Sequence, residues 1–166
     1  MNFNNLNETM EFIRKIYTCE IPMFDEDGDD WTDEFYDFYN SEDELINNPG
    51  YFDVESIPKL MMLFDDSLNY DELMSVLVDL VINIACFYGH DGLQKLLESF
   101  LYVKDVGKMY GKIELVGRLM SNHYEEFKAI LSTSTDAIQQ NIKDILESIN
   151  SKNLQNKKEE LLKLLR

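Results

Sequence analysis

The sequence predicts an all-α fold, a single domain of antiparallel helix pairs around one buried central helix. Three observations support this prediction. Apolar residues recur at the spacing of one helix face along most of the chain, and no segment sustains the alternation of apolar and polar residues that marks a half-buried strand. With 166 residues and 45% apolar content, the chain can also bury a core without disulfides or metals.

The central helix is predicted over residues 70–88, whose sequence is YDELMSVLVDLVINIACFY. Its apolar stripe is so wide that little of the helix surface is left for water. Asp71 and Glu72 place negative charge in the first turn, where the helix dipole favours it. Gly89 stands where a left-handed residue would end the helix. We therefore expect this helix to be covered on most sides.

Shorter helices are predicted on both sides of the central one. Before it, helices are predicted at about 7–18, capped by Asn7, and at about 31–39. A third is predicted at about 42–47, opened by a capping box of Ser41 and Glu44. A fourth is predicted from Ile57 to residues 65–67, capped by Ser56. After it, residues 89–92 are predicted as a link. Five more helices are expected to begin near residues 93, 106, 124, 136 and 153.

The charge of the chain is strongly negative and unevenly distributed. The net charge is −17, with −14 in residues 1–58, −5 in residues 59–99 and +2 in residues 100–166. Such a charge exceeds what solubility requires. It repels nucleic acid and anionic membranes and attracts basic proteins and cations. We therefore expect a basic protein as the partner, and neither nucleic acid nor a membrane.

The cysteines and the first residues of the chain favour a cytoplasmic, soluble protein. Cys19 and Cys86 have no metal-like spacing, and Cys86 falls within the central helix, where a free thiol acts as a small apolar group. The first residues lack the basic region and long apolar run of a signal peptide. Asp79 and Asn83 interrupt the most apolar window, so no membrane span is expected.

Residues 19–55 form an acidic, aromatic-rich segment within the domain. No Lys or Arg lies between Ile16 and Pro58, and residues 19–55 contain fourteen acidic residues and eight aromatic ones. Disordered acidic tails are poor in aromatic residues, whereas aromatic anchors ringed by carboxylates suit a protein interface. This composition therefore predicts a binding surface for a basic partner.

The aromatic residues of this segment divide into two groups. Trp31, Tyr36 and Tyr39 are expected to reach the partner, whereas Phe35, Phe38 and Phe52 fit equally well in the core with the acids on the solvated face. The residues predicted to bind the partner are Asp25, Glu26, Asp27, Asp29, Asp30, Trp31, Asp33, Glu34, Tyr36, Asp37, Tyr39, Glu42, Asp43 and Glu44.

The run from Asp25 to Gly28 also permits a calcium-binding interpretation. If Gly28 is aligned with the sixth position of an EF-hand loop, Asp25, Asp27 and Glu34 fall on ligand positions. Met23, however, stands where the first Asp of such a loop is required. A calcium-binding module is therefore kept as an alternative, and no metal site is predicted.

The sequence offers little for catalysis. His90 and His123 are the only histidines and form no His-x-x-x-His or Glu-x-x-His pair, so each is interpreted as a link or capping residue. Glycine-rich phosphate-binding motifs are absent, and paired carboxylates are expected in so acidic a run without any acid–base role. We predict no enzyme activity, no catalytic residues and no cofactor. A hydrolase built on the two histidines remains an alternative.

Several packing and turn features occur together in residues 57–149. They are a Phe-Asp-Asp turn at 64–66 before a long apolar helix, Leu96-Leu97, the run from Arg118 to Asn122, Tyr124, and a closing segment at 144–149. With these features the stretch resembles the immunity proteins of bacterial contact-dependent growth inhibition. It is most similar to the all-helical family counted as the thirtieth class of polymorphic-toxin immunity proteins.

The resemblance implies a cytoplasmic protein that binds the C-terminal toxin domain of a cognate effector and neutralises it by stoichiometric inhibition. It implies no catalytic residues. Many such toxins are basic nucleases, so the acidic segment, which lies largely outside the matching stretch, suits a toxin surface by its charge alone. The alternative is an acidic interaction protein or nucleic-acid mimic that blocks a DNA- or RNA-binding protein.

Overall fold

The computed structural model of the chain describes residues 3, 5–25, 27–28, 30–64, 71–103 and 109–165. Within these ranges the protein is an all-α single domain without strands, which confirms the predicted fold class. None of the helices described is long and apolar enough to cross a membrane. The helices are α1 Leu6–Tyr17, α2 Asp33–Asn47, α3 Ser56–Met61, α4 Asp71–Phe87, α5 Gly89–Ser99, α6 Met109–Asn122, α7 Tyr124–Thr133, α8 Asp136–Ser148 and α9 Gln155–Leu164, with 3₁₀ turns at Pro49–Tyr51 and Lys152–Leu154.

Helix α4 lies at the centre of the domain, as predicted. It packs against α2, α3, α5 and α6 and against the first 3₁₀ turn, and the side chains of one face, such as Leu77, Val81 and Ile84, are completely buried. The helix ends at Phe87, and Gly89 has the left-handed φ of +61° expected of the residue that ends it. Tyr70 lies outside the described residues.

Helix α1 is capped by a different residue from the one predicted. The Asn5 side chain accepts hydrogen bonds from the backbone N–H groups of Asn7 and Glu8, so Asn5 is the cap and Asn7 lies inside the helix. The prediction missed an identical side chain two residues earlier, which caps the helix from that position. At the other end of α1, the Tyr17 hydroxyl donates to the Leu73 carbonyl at 2.6 Å and so joins α1 to α4.

Helix α2 is one continuous helix, so the prediction of two short helices with a break near residue 40 is wrong. Thr32 caps it by accepting a hydrogen bond from the Phe35 N–H at 3.3 Å. Ser41 does not open a second helix, because its hydroxyl donates to the Asp37 carbonyl inside the first. The apolar face runs unbroken across the supposed boundary, and its buried residues are Phe35, Phe38 and Leu45.

Two helix starts beside α4 also differ from the prediction. Ser56 is the first residue of α3 and not its cap, and its hydroxyl donates to the Asp53 carboxylate at 2.8 Å. Residues 89–92 are the first turn of α5 and not a link. This turn can form because Gly92 lets α5 approach the α4 backbone closely. A Cβ at Gly92 would lie 2.2 Å from the Ala85 carbonyl oxygen.

The second half of the chain packs onto α4 through α6. Arg118 on α6 donates to Asp79 on α4 and, at 2.6 Å, to Glu114, which also accepts a hydrogen bond from Ser75. Helices α7 and α8 begin where predicted, whereas α9 begins at Gln155, after a 3₁₀ turn. The helix predicted from Ile57 to residues 65–67 is too long, because α3 ends at Met61 and residues 62–64 are not helical. The helix start predicted near 106 falls outside the described residues.

Candidate functional site

A short hairpin precedes α2 and fixes the position of Trp31. The backbone N–H of Asp25 donates to the Asp30 carbonyl at 2.8 Å, and Phe24 and Trp31 pair as an isolated antiparallel bridge. Gly28 forms the turn with a φ of +77°, a left-handed conformation that glycine adopts without strain. The hairpin therefore places Trp31 immediately before the first turn of α2.

The hairpin differs from an EF-hand loop, which wraps around an ion. Its two arms are hydrogen-bonded to each other through their backbones, as in the bond from the Thr32 N–H to the Met23 carbonyl at 3.0 Å. Glu34, at the ligand position that would close the loop, is exposed in the first turn of α2. Across the described ranges, no group of three or more His, Cys, Asp or Glu residues is arranged to hold a metal ion.

Four aromatic residues at the start of α2 form the aromatic cluster: Trp31, Phe35, Tyr36 and Tyr39. The Trp31 ring centroid lies 5.0 Å from that of Tyr39 and 5.4 Å from that of Phe35. Phe35 and Tyr39 fall on one face of α2 because they are four residues apart, and the hairpin places Trp31 against both rings. Phe35 is the buried member of the cluster, whereas Trp31, Tyr36 and Tyr39 are 39%, 55% and 46% exposed. Exposed Trp and Tyr side chains are typical anchors of protein interfaces.

The aromatic cluster borders a cleft of about 350 Å³ between α2 and α4. Glu42 is half-buried and contributes a carboxylate to the cleft wall. Burial, followed by the charge of Glu42, raises the pKa of Tyr17 well above its ordinary value. The residues that line the cleft are Met23, Phe24, Trp31, Phe35, Tyr39, Glu42, Leu73 and Val76.

The acidic residues around the cluster are mostly free of internal partners. Glu44 accepts a hydrogen bond from the Tyr51 hydroxyl at 3.1 Å, and Asp25 and Glu42 also have partners. The predicted residues Glu26 and Asp29 lie outside the described residues. Within the part of the chain that the structure describes, no salt bridge or side-chain hydrogen bond involves the exposed carboxylates of Asp27, Asp30, Asp33, Glu34, Asp37 and Asp43.

The basic side chains of α1 are already paired with acids outside this surface. Arg14 donates to Glu11 at 2.8 Å and to Glu20 at 2.7 Å, and these hydrogen bonds raise its pKa. Lys15 lies 4.0 Å from Glu11. These side chains therefore do not neutralise the six exposed carboxylates of the hairpin and α2.

No family model, curated protein or solved structure matches the chain. The resemblance to immunity proteins of contact-dependent growth inhibition thus stays a prediction, and the function has to be inferred from the geometry.

The structure also assembles a second, unpredicted group of reactive side chains around Cys86. The Cys86 Sγ lies 3.6 Å from the His123 Nδ1, and the two residues border a cavity of about 330 Å³ together with His90 and Glu126. Cys86 is half-buried and packs against the core, in line with its prediction as a small apolar group, and its contact with His123 is additional to that prediction. His90 is also not a link residue, because it lies in the first turn of α5.

The chemistry of Cys86 argues against a nucleophile. Burial, and then the charge of Glu126, raises the pKa of the Cys86 thiol, whereas a reactive cysteine requires a lowered pKa. The sequence carries no signal for the contact with His123, because the two residues are 37 positions apart and belong to different helices. The aromatic cluster, with its cleft and carboxylates, is therefore the stronger candidate site.

Proposed function

We propose that this protein binds a basic protein through the hairpin and α2, and that it serves as an immunity protein that neutralises a toxin domain by stoichiometric inhibition. The observation that supports this proposal is the exposure of Trp31, Tyr36 and Tyr39 among carboxylates without internal partners. When a partner covers large aromatic side chains that were exposed to water, the free energy of the complex falls. The carboxylates around them select a partner of positive charge.

The two parts of this surface would make different contributions to binding. Protection of a cell requires a Kd of about 1 nM or lower, equivalent to about −12 kcal/mol. Long-range attraction mainly raises the association rate, so the aromatic side chains would supply much of the affinity. Trp31 is suited to this role because its ring already packs on Phe35 and Tyr39, and little freedom remains to be lost on binding.

The experiment is a kinetic binding measurement against the C-terminal domain encoded immediately upstream of this gene. One variant reverses three exposed acids of the proposed surface, Asp27, Asp30 and Asp37, to Lys. A matched control reverses three exposed acids of the C-terminal helices, Asp144, Glu147 and Glu159, and so changes the net charge equally. At low salt the first variant should associate at least tenfold more slowly than the unaltered protein, because the local field steers the partner. The control should change the rate less than about twofold.

Several outcomes would contradict the proposal. Equal slowing in both variants would make net charge the cause and remove the α2 surface from the mechanism. Absence of tight one-to-one binding, or a bound domain that keeps its toxicity, would exclude inhibition of that toxin. Displacement of DNA or RNA from a cellular nucleic-acid-binding protein would favour the nucleic-acid mimic, since that alternative uses the same carboxylates against a different target.

A further inference from the structure

We propose that the cleft between α2 and α4 is a recognition pocket for a single arginine side chain of the partner. This inference rests on the proposed function only for the identity of the partner, because the pocket and its ligand chemistry are properties of this chain. The cleft is small: about 350 Å³ lies near the lower end of the range of roughly 300–1,000 Å³ typical of small-molecule sites. That size favours one side chain over a docked helix.

The walls of the cleft present aromatic rings at several inclinations. The Trp31 ring is inclined by 58° to Tyr39 and by 72° to Phe35, and all three residues line the cleft. A cation within about 6 Å of an aromatic ring face is attracted by the ring quadrupole, most strongly for Trp. Leu73 and Val76 on α4 complete an apolar wall for the methylene stem of a long side chain.

Carboxylates stand both inside the cleft and beside its mouth. Glu42 lines the cleft itself. It also has a partner within the chain, so an entering cation would share its carboxylate, whose two oxygens can accept several hydrogen bonds. An adjoining depression shares Phe24 and Trp31 with the cleft and is lined also by Asp30 and Asp33. A positive group that enters between the rings would therefore meet a carboxylate within and be attracted by others outside. Opposite charge in a partly desolvated setting strengthens such a contact.

Arginine fits this combination better than lysine does. Its guanidinium group is planar, stacks on aromatic faces and is more weakly hydrated than an ammonium group, so less hydration is lost on entry. Its fork of N–H donors can also pair with a carboxylate such as Glu42 while the plane lies against Trp31. A pocket that combines angled aromatic rings with an inner carboxylate therefore selects a guanidinium group.

The pocket has a built-in reporter, because Trp31 is the only tryptophan of the chain. The experiment titrates the protein alone with N-acetyl-arginine methylamide and follows tryptophan fluorescence. We expect a saturable change with a Kd of about 1 mM, as suits a ligand of so few atoms. The matching lysine compound should bind at least threefold more weakly, and the neutral citrulline isostere should give no saturable change.

Two variants test the walls, and one serves as a control. Glu42→Gln and Tyr39→Leu should each raise the Kd for the arginine compound at least fivefold, whereas Tyr102→Leu, at a highly exposed site outside the cleft, should leave it unchanged. Circular dichroism and the urea midpoint verify that each variant is folded. Equal binding of citrulline, or no saturable signal, would overturn the proposal, and equal binding of lysine would overturn the preference for arginine. No toxin is used, so failure here is distinguishable from failure of the proposed function.

Discussion

At the scale of single residues, the two cysteines occupy contrasting environments. Cys19 is exposed and has a left-handed φ of +57°, whereas Cys86 is half-buried beside His123. In Cys19→Gly, which suits that backbone conformation, Cys86 is the only thiol. Its rate of reaction with a disulfide reagent should rise only at a pH above the ordinary range for cysteine, because burial and Glu126 raise its pKa and deplete the thiolate.

Two comparisons make this prediction specific. Glu126→Gln should move the pH–rate profile of Cys86 to lower pH, because it removes the second cause of the raised pKa. Glu125→Gln, at the neighbouring exposed position, should move the profile less. Unfolding in guanidinium should restore the ordinary profile. Rapid reaction of folded Cys86 at neutral pH would instead indicate that His123 takes the thiol proton and that the pair is ionised.

At the scale of elements, sequence patterns predicted which segments are helical better than they predicted where helices begin. The Ser41–Glu44 capping box is a local signal for a helix start. The burial of Phe38 and Leu45 by one continuous helix outweighs it. A serine hydroxyl can bond to a carbonyl one turn earlier without ending a helix, as Ser41 does with Asp37. Which of these two possibilities occurs depends on tertiary packing, which no local motif contains.

The contact between α4 and α5 gives a prediction at the same scale. Gly92→Ala should lower the free energy of unfolding by about 1–3 kcal/mol, because the new Cβ would lie 2.2 Å from the Ala85 carbonyl oxygen of α4. Intrinsic propensity alone predicts the opposite, since alanine is favoured over glycine in a helix by about 0.8–1.0 kcal/mol. Urea unfolding of the variant measures which effect is larger.

Gly117→Ala in α6 is the matched control for that experiment. Its Cβ would meet only the Leu154 Cδ1, at an ordinary 3.9 Å, so the variant should be stabilised by about 0.5–1 kcal/mol. If both variants were stabilised equally, α5 would have room to move away from α4, and the glycine would not be what sets their distance.

At the scale of the whole molecule, the candidate site combines one part visible in the sequence with another that only the fold creates. Charge and aromatic content predicted the acidic segment, and Trp31, Tyr36 and Tyr39 are exposed while Phe35 is buried. The cleft could not be predicted, because Leu73 and Val76 line it from another helix more than thirty positions along the chain. The contact of Cys86 with His123 arises in the same way.

Cooperative unfolding of the whole domain should depend on pH through Tyr17, which ties α1 to α4. The hydroxyl is buried and donates to the Leu73 carbonyl, and burial together with Glu42 raises its pKa. Because the folded pKa exceeds that of the unfolded chain, the stabilisation is complete below about pH 10 and is lost as the pH rises from there through the folded pKa. Over that range the loss should reach about 1.4 kcal/mol per pH unit.

Tyr17→Phe isolates this contribution, because phenylalanine fills the same space and cannot ionise. At pH 8 the variant should be less stable by about 1 kcal/mol, because it lacks the hydrogen bond from residue 17 to the Leu73 carbonyl. At pH 11 the difference should shrink by about 1.4 kcal/mol or reverse, since only the unaltered chain still gains free energy by ionising residue 17 on unfolding. Urea unfolding at both pH values measures this change, with Tyr102→Phe at a highly exposed site as the control. A difference that is the same at pH 8 and pH 11 would mean that Tyr17 ionises as readily in the folded protein as in the unfolded chain, and that α1 leaves its place on α4 before the rest of the domain unfolds.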